Sequence, residues 1–261
     1  EAGSPSVVFT QSQSTTAPDG FHSSLKLDCT TTSGTVGADD LVMLEQNFEG
    51  YDLQRLNKGD AQARSVTLSF WVNSTKTGTY IVNLYDNDNS GRIISKSYTV
   101  SSSNTWEYKT ITFEGDTTGA FDNDNAGSLY IYWGLVAGTN YTSGTLATSW
   151  AAYNATNRFV GQVDAFDNTA NNYHITGVQL ELGDTATAFE YQSFGQNLTL
   201  CQRYYEKLQG SGGGGGILGT YGNGGLSYAT WNFKNTKRTA PTMTQPGSGL
   251  DVIQNTSTEM S

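Results

Sequence analysis

Apolar and polar residues alternate along much of the first 182 positions, which is the pattern of β-strands with one buried face. In segment 65–73 the apolar residues recur at every second position from Val66, and Trp71 lies among the residues of the opposite parity. Comparable stretches predict further strands, most of them bounded by Gly, Asn, Asp or Ser residues. The predicted strands are 7–11, 24–32, 41–48, 65–73, 79–85, 92–100, 107–113, 128–136 and 174–182.

The spacing of the turns indicates how these strands connect. Turn signals recur roughly every 8 to 15 residues, which favours an all-β antiparallel sandwich over alternating strands and helices. Segment 86–91, Asp-Asn-Asp-Asn-Ser-Gly, joins two of the strands as a hairpin. Between 139 and 172 the alternation weakens into a long polar loop, and loops of that length often carry function.

The periodicity changes after residue 194. Leu198, Cys201, Tyr205 and Leu208 recur at three- and four-residue spacing, which predicts one C-terminal helix. Its apolar stripe is wide, so we expect it to pack against the sandwich or against symmetry-related subunits. The predicted organisation is a β-sandwich domain at 1–194, the helix at 195–208, a Gly-rich linker at 209–223 with five consecutive glycines at 212–216, and a small β-rich extension at 224–261, with a strand at 227–233, that could begin a further domain.

Composition and charge narrow the range of partners. Hydrophobic residues make up 36% of the chain and aromatic residues 12%, which is enough apolar area for a folded core. The net charge is −10 with no strong basic patch, so nucleic acid is an unfavourable partner. No apolar run is long enough to predict insertion into a membrane. An uncharged partner such as a glycan, or another protein, fits this charge better.

Two further features concern the cysteines and the start of the chain. Cys29 and Cys201 have neither metal-site nor redox spacing, so two separate buried thiols are expected, with a long-range disulfide as the alternative. The chain starts at Glu1 without a signal-like segment, which suggests a processed product or part of a longer polypeptide.

Strand parity yields a candidate binding face. If Val66 and its partners point into the core, Trp71 points outward, and the same rule applied to the other strands gives a set of outward aromatic and polar residues. In segment 174–182 the rule points Val178 inward. Aromatic faces stack on sugar rings, and amides and carboxylates bind hydroxyls, so this face could bind a glycan. Alternatively, a neighbouring subunit or the 139–172 loop covers it. The predicted glycan-binding residues are Trp71, Asn83, Tyr85, Tyr130, Tyr132, Gln179 and Glu181.

The first hairpin turn resembles half of a calcium loop. Asp86, Asp88 and Ser90 precede Gly91 as in an Asp-x-Asp-x-Ser-Gly loop, but the twelfth position is Ser97 rather than a bidentate Glu. A plain Asn- and Asp-rich turn is therefore expected, with structural calcium as the alternative and no other cofactor.

Catalytic motifs are absent from the sequence. Its two histidines, His22 and His174, lie far apart in the chain, without a nucleophile elbow or zinc spacing, and we expect the protein not to be an enzyme.

Several segments carry a family resemblance. They are 65–89 (SVTLSFWVNSTKTGTYIVNLYDNDN), 104–120 (NTWEYKTITFEGDTTGA), 144–150 (GTLATSW), 174–195 (HITGVQLELGDTATAFEYQSFG) and 201–207 (CQRYYEK). Together they resemble marine bacteriophage virion structural or tail-fibre proteins with a carbohydrate-binding-module-like jelly roll. The resemblance covers about residues 14–208. It implies a jelly-roll β-sandwich located on the virion, next to other virion proteins, in a homotrimeric appendage.

Three functional hypotheses follow. The first is a tail-fibre or related appendage subunit whose jelly roll binds host-surface glycans for host recognition. The second is a capsid-surface decoration or connector with a purely structural role, in which the same face is buried between subunits. The third is a carbohydrate-binding module of a secreted enzyme.

Overall fold

The computed structural model describes residues 7–32, 34–206, 219–221, 227–229 and 233–242. The chain forms two compact units, Glu1–Phe189 and Glu190–Ser261. The predicted boundary at residue 194 lies close to the division between them.

The first unit consists of ten strands in two antiparallel sheets. The first sheet has the strand order β1-β2-β10-β4-β7, and the second sheet has the order β3-β8-β5-β6-β9. The strands are β1 Val8–Ser14, β2 Ser24–Thr31, β3 Leu41–Glu49, β4 Val66–Ser74, β5 Gly78–Asp86, β6 Arg92–Val100, β7 Glu107–Phe113, β8 Gly127–Ala137, β9 Ala151–Ala152 and β10 Asn172–Leu182.

The connections between the sheets make this unit a jelly roll. The chain passes from β2 in the first sheet to β3 in the second, returns to β4, forms the β5–β6 hairpin, and then crosses again at β7, β8 and β10. Without the edge strands β1 and β9, each sheet contributes four strands, as in the eight-stranded jelly roll. The predicted all-β jelly-roll sandwich is confirmed. The two-residue strand β9 had no signal in the sequence.

The core lies between the two sheets. Leu68, Phe70 and Val72 of β4 are completely buried, as their parity predicts. The ring of Phe70 lies edge-on to Tyr98 at 5.2 Å and to Trp133 at 6.0 Å, so β4 packs directly on the second sheet. Burial of each large apolar side chain stabilises the fold by about 1.5–3 kcal/mol.

Residues 139–165, here called the covering segment, include the edge strand β9, and the part with Arg158 and Phe159 packs on the outer face of the second sheet. The segment begins with the short helix α2 at Thr139–Thr142, after a first short helix, α1, at Gly50–Leu53. Its backbone joins the sheet through hydrogen bonds from Val163 N to the Thr79 carbonyl (2.8 Å) and from Ala165 N to the Leu135 carbonyl (2.9 Å). The expected long polar loop is thus ordered against a sheet.

Strand β10 contains an irregularity that reverses one predicted orientation. Thr176 pairs with Trp71, but the next paired residue is Gln179, opposite Ser69. Val178 was predicted to point inward and is instead 39% exposed. That prediction was wrong because Gly177 and Val178 together stand opposite Phe70, so this bulge adds one residue to β10 and shifts the alternation. Gly177 has a φ of +60°, which favours glycine.

The second unit contains one described helix, α3, at Phe194–Tyr204. Ser193 and Gln196 cap its N-terminus reciprocally. The helix is shorter than the predicted 195–208 because Tyr205 is extended, and none of its residues is buried within the single chain. Packing of its apolar stripe against symmetry-related subunits stays a prediction.

Beyond α3, strands β11 (Gly219–Tyr221) and β12 (Ser227–Ala229) pair antiparallel. Strand β11 lies within the predicted linker 209–223, and β12 lies at the start of the predicted strand 227–233, of which residues 230–232 are outside the described ones. Leu208, the glycine run 212–216 and most of the predicted extension 224–261 lie outside the described residues.

Two other sequence expectations concern thiols and membranes. Cys29 and Cys201 are both free, the first buried and the second exposed, so Cys201 is not the buried thiol expected. Within the described ranges, no helix has the length and apolar character needed to cross a membrane.

Candidate functional site

The predicted glycan-binding residues do not form one surface. Trp71, Gln179 and Glu181 lie on strands of the first sheet. The remaining four, Asn83, Tyr85, Tyr130 and Tyr132, lie on β5 and β8 of the second sheet. Strand parity placed all of them away from the core, but the outer faces of the two sheets are on opposite sides of the sandwich.

The covering segment occupies part of the second sheet's outer face. Asn83 is completely buried, and its Nδ2 donates to Ser95 Oγ (2.9 Å) and to the Arg158 carbonyl (2.9 Å). Tyr132 is also buried, whereas Tyr85 and Tyr130 are half-buried. The alternative in which the 139–172 loop covers this face therefore holds for Asn83 and Tyr132.

On the first sheet, Glu181 has a local partner. Its carboxylate accepts hydrogen bonds from Thr187 N (3.0 Å) and from the Thr187 hydroxyl (2.5 Å). The Thr187 hydroxyl, followed by Gln179, lowers the pKa of Glu181. These bonds fix the turn after β10.

A polar groove lies on the same face as Trp71. The groove, here called the amide groove, has a volume of about 300 Å³. Three asparagines and one histidine dominate its lining. The lining residues are Ser14, Thr16, Lys26, Asn73, Asn104, Asn172 and His174.

Asn73 and His174 face each other across β4 and β10 at the groove. Each is only 6% exposed. The Asn73 amide has no hydrogen-bond partner among the residues that the structure describes. The amide atoms are not fully buried, so the amide faces the open groove, where it can bind a ligand's hydroxyl groups.

The hydrogen bonds of His174 define its protonation state. The Ser24 hydroxyl donates its hydrogen bond to the Thr16 carbonyl (2.7 Å). Its oxygen, 3.1 Å from His174 Nδ1, therefore accepts a hydrogen bond from the imidazole N–H. Burial, followed by the positive charge of Lys26, lowers the pKa of His174. A neutral imidazole protonated at Nδ1 keeps Nε2 as an acceptor.

Aromatic rings lie next to residues of the amide groove on the same sheet, without lining the groove themselves. Trp71 and Asn73 point to the same face of β4. The Trp71 ring lies 5.3 Å from the ring of Tyr108, which is 43% exposed. The ring of Trp106 lies edge-on to His174 at 6.0 Å. The indole N–H of Trp106 is buried without a partner among the described residues.

Sequence reasoning found only part of this site. Asn73 and Trp71 share one parity, a signal that was visible in the strand pattern. The contributions of Trp106, Asn104 and His174 depend on which strands become neighbours, and a single sequence does not contain that information.

The calcium candidates have other partners. Asp86 is completely buried, and its Oδ2 lies 2.5 Å from Lys58 Nζ. Asp88 Oδ2 accepts a hydrogen bond from Asp122 N (2.9 Å), and Ser90 has a φ of +56° in the turn. Across the described ranges, no group of three or more His, Cys, Asp or Glu side chains could hold a metal ion.

The buried Lys58 ammonium lies in an oxygen-lined site. It contacts the carbonyl oxygens of Thr118 and Gly119, each at 2.8 Å, and lies 3.3 Å from Asp116 Oδ2. Burial alone would raise the pKa of Asp116, but the hydrogen bond from Arg92 and the contacts with Thr118 and Lys58 hold it below its ordinary value. This network neutralises the buried carboxylates of the loops.

The one Ser–His contact lacks the geometry of an activated nucleophile. Because the Ser24 hydroxyl donates its hydrogen bond to the Thr16 carbonyl, His174 is not placed to remove the hydroxyl proton as a general base would. The absence of enzymatic activity stays a prediction.

Comparison with known proteins gives structural similarities only. No protein-family model and no curated protein matches the chain. A structure described as Family 16 Carbohydrate Binding Module-2 is 11% identical with a TM-score of 0.33, over 66% of this chain and 85% of that one. A structure described as CBM4 is 9% identical with a TM-score of 0.35, over 67% and 77% of the two chains.

A phage protein is also similar in structure. The enzymatically active domain of tailspike protein 4 of bacteriophage CBA120 is 13% identical with a TM-score of 0.35, over 67% of this chain and 18% of that one. The assignment of the jelly roll rests on the strand order of this chain itself.

Proposed function

We propose that the first unit is a glycan-binding jelly roll that takes an uncharged sugar in the amide groove. The observation that carries the proposal is the Asn73 amide, which is 6% exposed and without a partner among the described residues, in a groove of about 300 Å³. A buried amide that faces open space can bind a hydroxyl group with both its N–H and its C=O.

The surroundings of Asn73 match the two surfaces of a sugar ring. The Trp71–Tyr108 pair supplies aromatic area for the apolar C–H face of a pyranose. His174 Nε2 offers an acceptor, and the side-chain amides of Asn73 and Asn104 offer donors, so both kinds of hydroxyl hydrogen bond can be made.

The charge of the groove favours a neutral ligand. Lys26 is its one cationic lining residue, and Lys26 Nζ lies 3.0 Å from Asp28 Oδ1. With His174 neutral, the groove presents no unpaired charge. Binding therefore depends on hydrogen bonds and stacking, and we expect it to vary little with salt.

We propose a binding role rather than a catalytic one, in a bacteriophage virion. The sequence segments that resemble tail-fibre proteins support an appendage subunit on the virion surface, where the groove would attach the particle to host-surface sugars. Assembly as a homotrimer belongs to the same proposal.

A glycan array probed with the full chain tests the groove. We expect binding to neutral oligosaccharides by the wild type, and a decrease of about tenfold in affinity for Asn73→Ala, which loses hydrogen bonds, and for Trp71→Ala, which loses stacking. Tyr51→Ala is the matched control, since Tyr51 is an exposed aromatic residue outside the groove.

Two results would rule out the proposed site. One is a wild-type protein that binds no neutral glycan on the array. The other is equal glycan affinity of Asn73→Ala, Trp71→Ala and the control Tyr51→Ala. This comparison requires that the circular dichroism spectra of the three variants agree.

A further inference from the structure

We propose that the outer face of the second sheet carries a second site, which binds the carboxylate of an acidic sugar through Arg158. This face lies on the opposite side of the sandwich from the amide groove. The second site takes a different class of ligand, and it does not depend on the function proposed for the groove.

Arg158 is held in the covering segment by its neighbours. It follows a 3-10 turn at Ala155–Asn157, and its carbonyl accepts the hydrogen bond from buried Asn83. Its guanidinium carbon lies 4.9 Å from the ring centres of both Tyr132 and Phe159. Tyr153 and Tyr141 lie at 5.8 and 5.9 Å. The guanidinium is thus surrounded by aromatic rings.

This buried cation lacks a counter-charge. Arg158 is 6% exposed, and no carboxylate of a described residue forms an ion pair with it. Its Nε is buried without a partner, and Nη2 donates only to the Met43 thioether at 3.4 Å. Sulfur is a weak acceptor, and aromatic faces replace only part of the hydration that a buried charge loses.

Arg92 shows what a satisfied arginine looks like in this protein. Its Nε and Nη2 donate to the two oxygens of Asp116 at 2.6 and 3.0 Å. Such a two-point pair with a carboxylate is the geometry that guanidinium groups favour. Arg158 has the same donors and no such partner. Its Nε is buried, but Nη1 is not fully buried and has no partner among the described residues, so a ligand carboxylate would reach the guanidinium at Nη1.

Tyrosines around Arg158 determine what carries the carboxylate. Tyr85 lies 5.3 Å from Tyr153 and 6.1 Å from both Tyr130 and Tyr132, measured between ring centres. Their hydroxyls have no hydrogen-bond partner among the described residues. Tyr153 is 40% exposed, so the cluster is open to solvent. Rings for stacking and free hydroxyls for hydrogen bonds favour a sugar over a simple organic acid.

Glu45 provides an opposing charge at the edge of this site. It is exposed on β3, directly opposite Tyr132. Burial, followed by the charge of Glu45, raises the pKa of Tyr132, whereas the charge of Arg158 opposes the rise. The negative charge of Glu45 lies close to the proposed position of the ligand carboxylate and repels it. Removal of this charge should therefore strengthen the binding of an anion.

The test is a calorimetric titration of the full chain with sodium glucuronate at low ionic strength. Glucose serves as the neutral sugar, and acetate as the carboxylate without a ring. We expect glucuronate to bind more tightly than either. Arg158→Gln should weaken glucuronate binding at least about tenfold, and Glu45→Gln should strengthen it severalfold. Arg55→Gln, which removes one exposed positive charge, is the control and should leave binding unchanged.

The outcomes separate the two sites. Asn73→Ala should leave glucuronate binding intact, so failure of the amide groove does not remove the Arg158 site. A wild type that binds no glucuronate, or Arg158→Gln binding that equals that of Arg55→Gln, would overturn the proposal. If Arg158→Gln does not fold, the variants Glu45→Gln and Tyr153→Phe, at exposed positions, test the site in its place. Unchanged glucuronate binding in both variants would contradict the proposed site.

Discussion

At the scale of single residues, the first sheet's outer face depends on how buried polar groups are satisfied. Ser24 satisfies the Nδ1 of His174, whereas Asn73, its neighbour across the strands, has no partner among the described residues. The amide atoms of Asn73 are not fully buried, so they face the solvent of the groove and can exchange it for a ligand's hydroxyl groups.

The buried imidazole of His174 predicts a pH dependence. Burial and Lys26 lower its pKa in the folded state below the ordinary 6.5, so the unfolded chain takes up the proton first as the pH falls. The stability contribution is complete above pH 6.5 and is lost as the pH falls from there toward the folded-state pKa.

Urea unfolding at several pH values measures this effect. His174→Asn keeps a donor for Ser24 but cannot titrate, so its free energy of unfolding should change less than that of the wild type as the pH falls below 6.5. The ion pair of Lys26 with Asp28 is present in both proteins. Equal slopes for the two proteins in this range would show that His174 is not held neutral.

Gly177 fixes the position of Trp71. Its φ is +60°, and a Cβ there would lie 2.6 Å from Phe21 and 3.3 Å from Trp71. Gly177→Ala should therefore destabilise the fold by about 1–3 kcal/mol and displace the Trp71 ring.

Gly161→Ala separates strain from contact. Gly161 also has a positive φ, +88°, but nothing lies within 4 Å of its Cβ position. Chemical denaturation of both variants should show the larger loss for Gly177→Ala. Equal losses would mean that the contact with Phe21 and Trp71 adds nothing.

At the scale of elements, the loops at one end of the sandwich are held together by buried charge. Lys58 follows the 3-10 turn Gln54–Leu56, Asp86 ends β5, and Asp116 follows β7. Their charges meet at distances of 2.5 and 3.3 Å. Because three loops share one ammonium group, its removal should affect all of them.

Lys58→Met tests this connection. The variant leaves the Asp86 and Asp116 carboxylates buried with less compensation, so we expect a loss of about 3–5 kcal/mol in the free energy of unfolding. Lys96→Met, which removes the cation of a partly exposed pair with Glu114, should cost at most about 1 kcal/mol. A Lys58→Met loss as small as that of Lys96→Met would show that the network does not hold the loops.

At the scale of the whole molecule, local patterns predicted the strands and their buried faces. Val66, Leu68 and Phe70 are buried as the period of two requires, and the all-β sandwich follows from many such segments. The pattern did not show that Trp71 and Tyr85 lie on opposite faces, because the sheet to which a strand belongs depends on distant partners. Val178 was misplaced because a bulge has no periodic signal.

The candidate site shows the same division. Trp71 could be predicted as an outward aromatic residue from its own strand. His174 and Asn104 join Asn73 only through the pairing of β10 with β4 and the turn before β7. The covering segment, and with it Arg158, had no regular period because it packs through turns and side chains rather than as strands.

Binding of a neutral glycan in the amide groove is tested most directly by a heteronuclear NMR titration of the wild type with a neutral oligosaccharide selected on the array. Among the residues that the structure describes, two buried indole N–H groups lack partners, that of Trp106 beside His174 and that of Trp133 in the core. We expect the NMR signals of the Trp106 indole N–H and the Asn73 side-chain amide to shift on binding, while the signal of the Trp133 indole N–H stays in place. Saturable glycan binding that leaves both Trp106 and Asn73 unshifted would contradict this expectation.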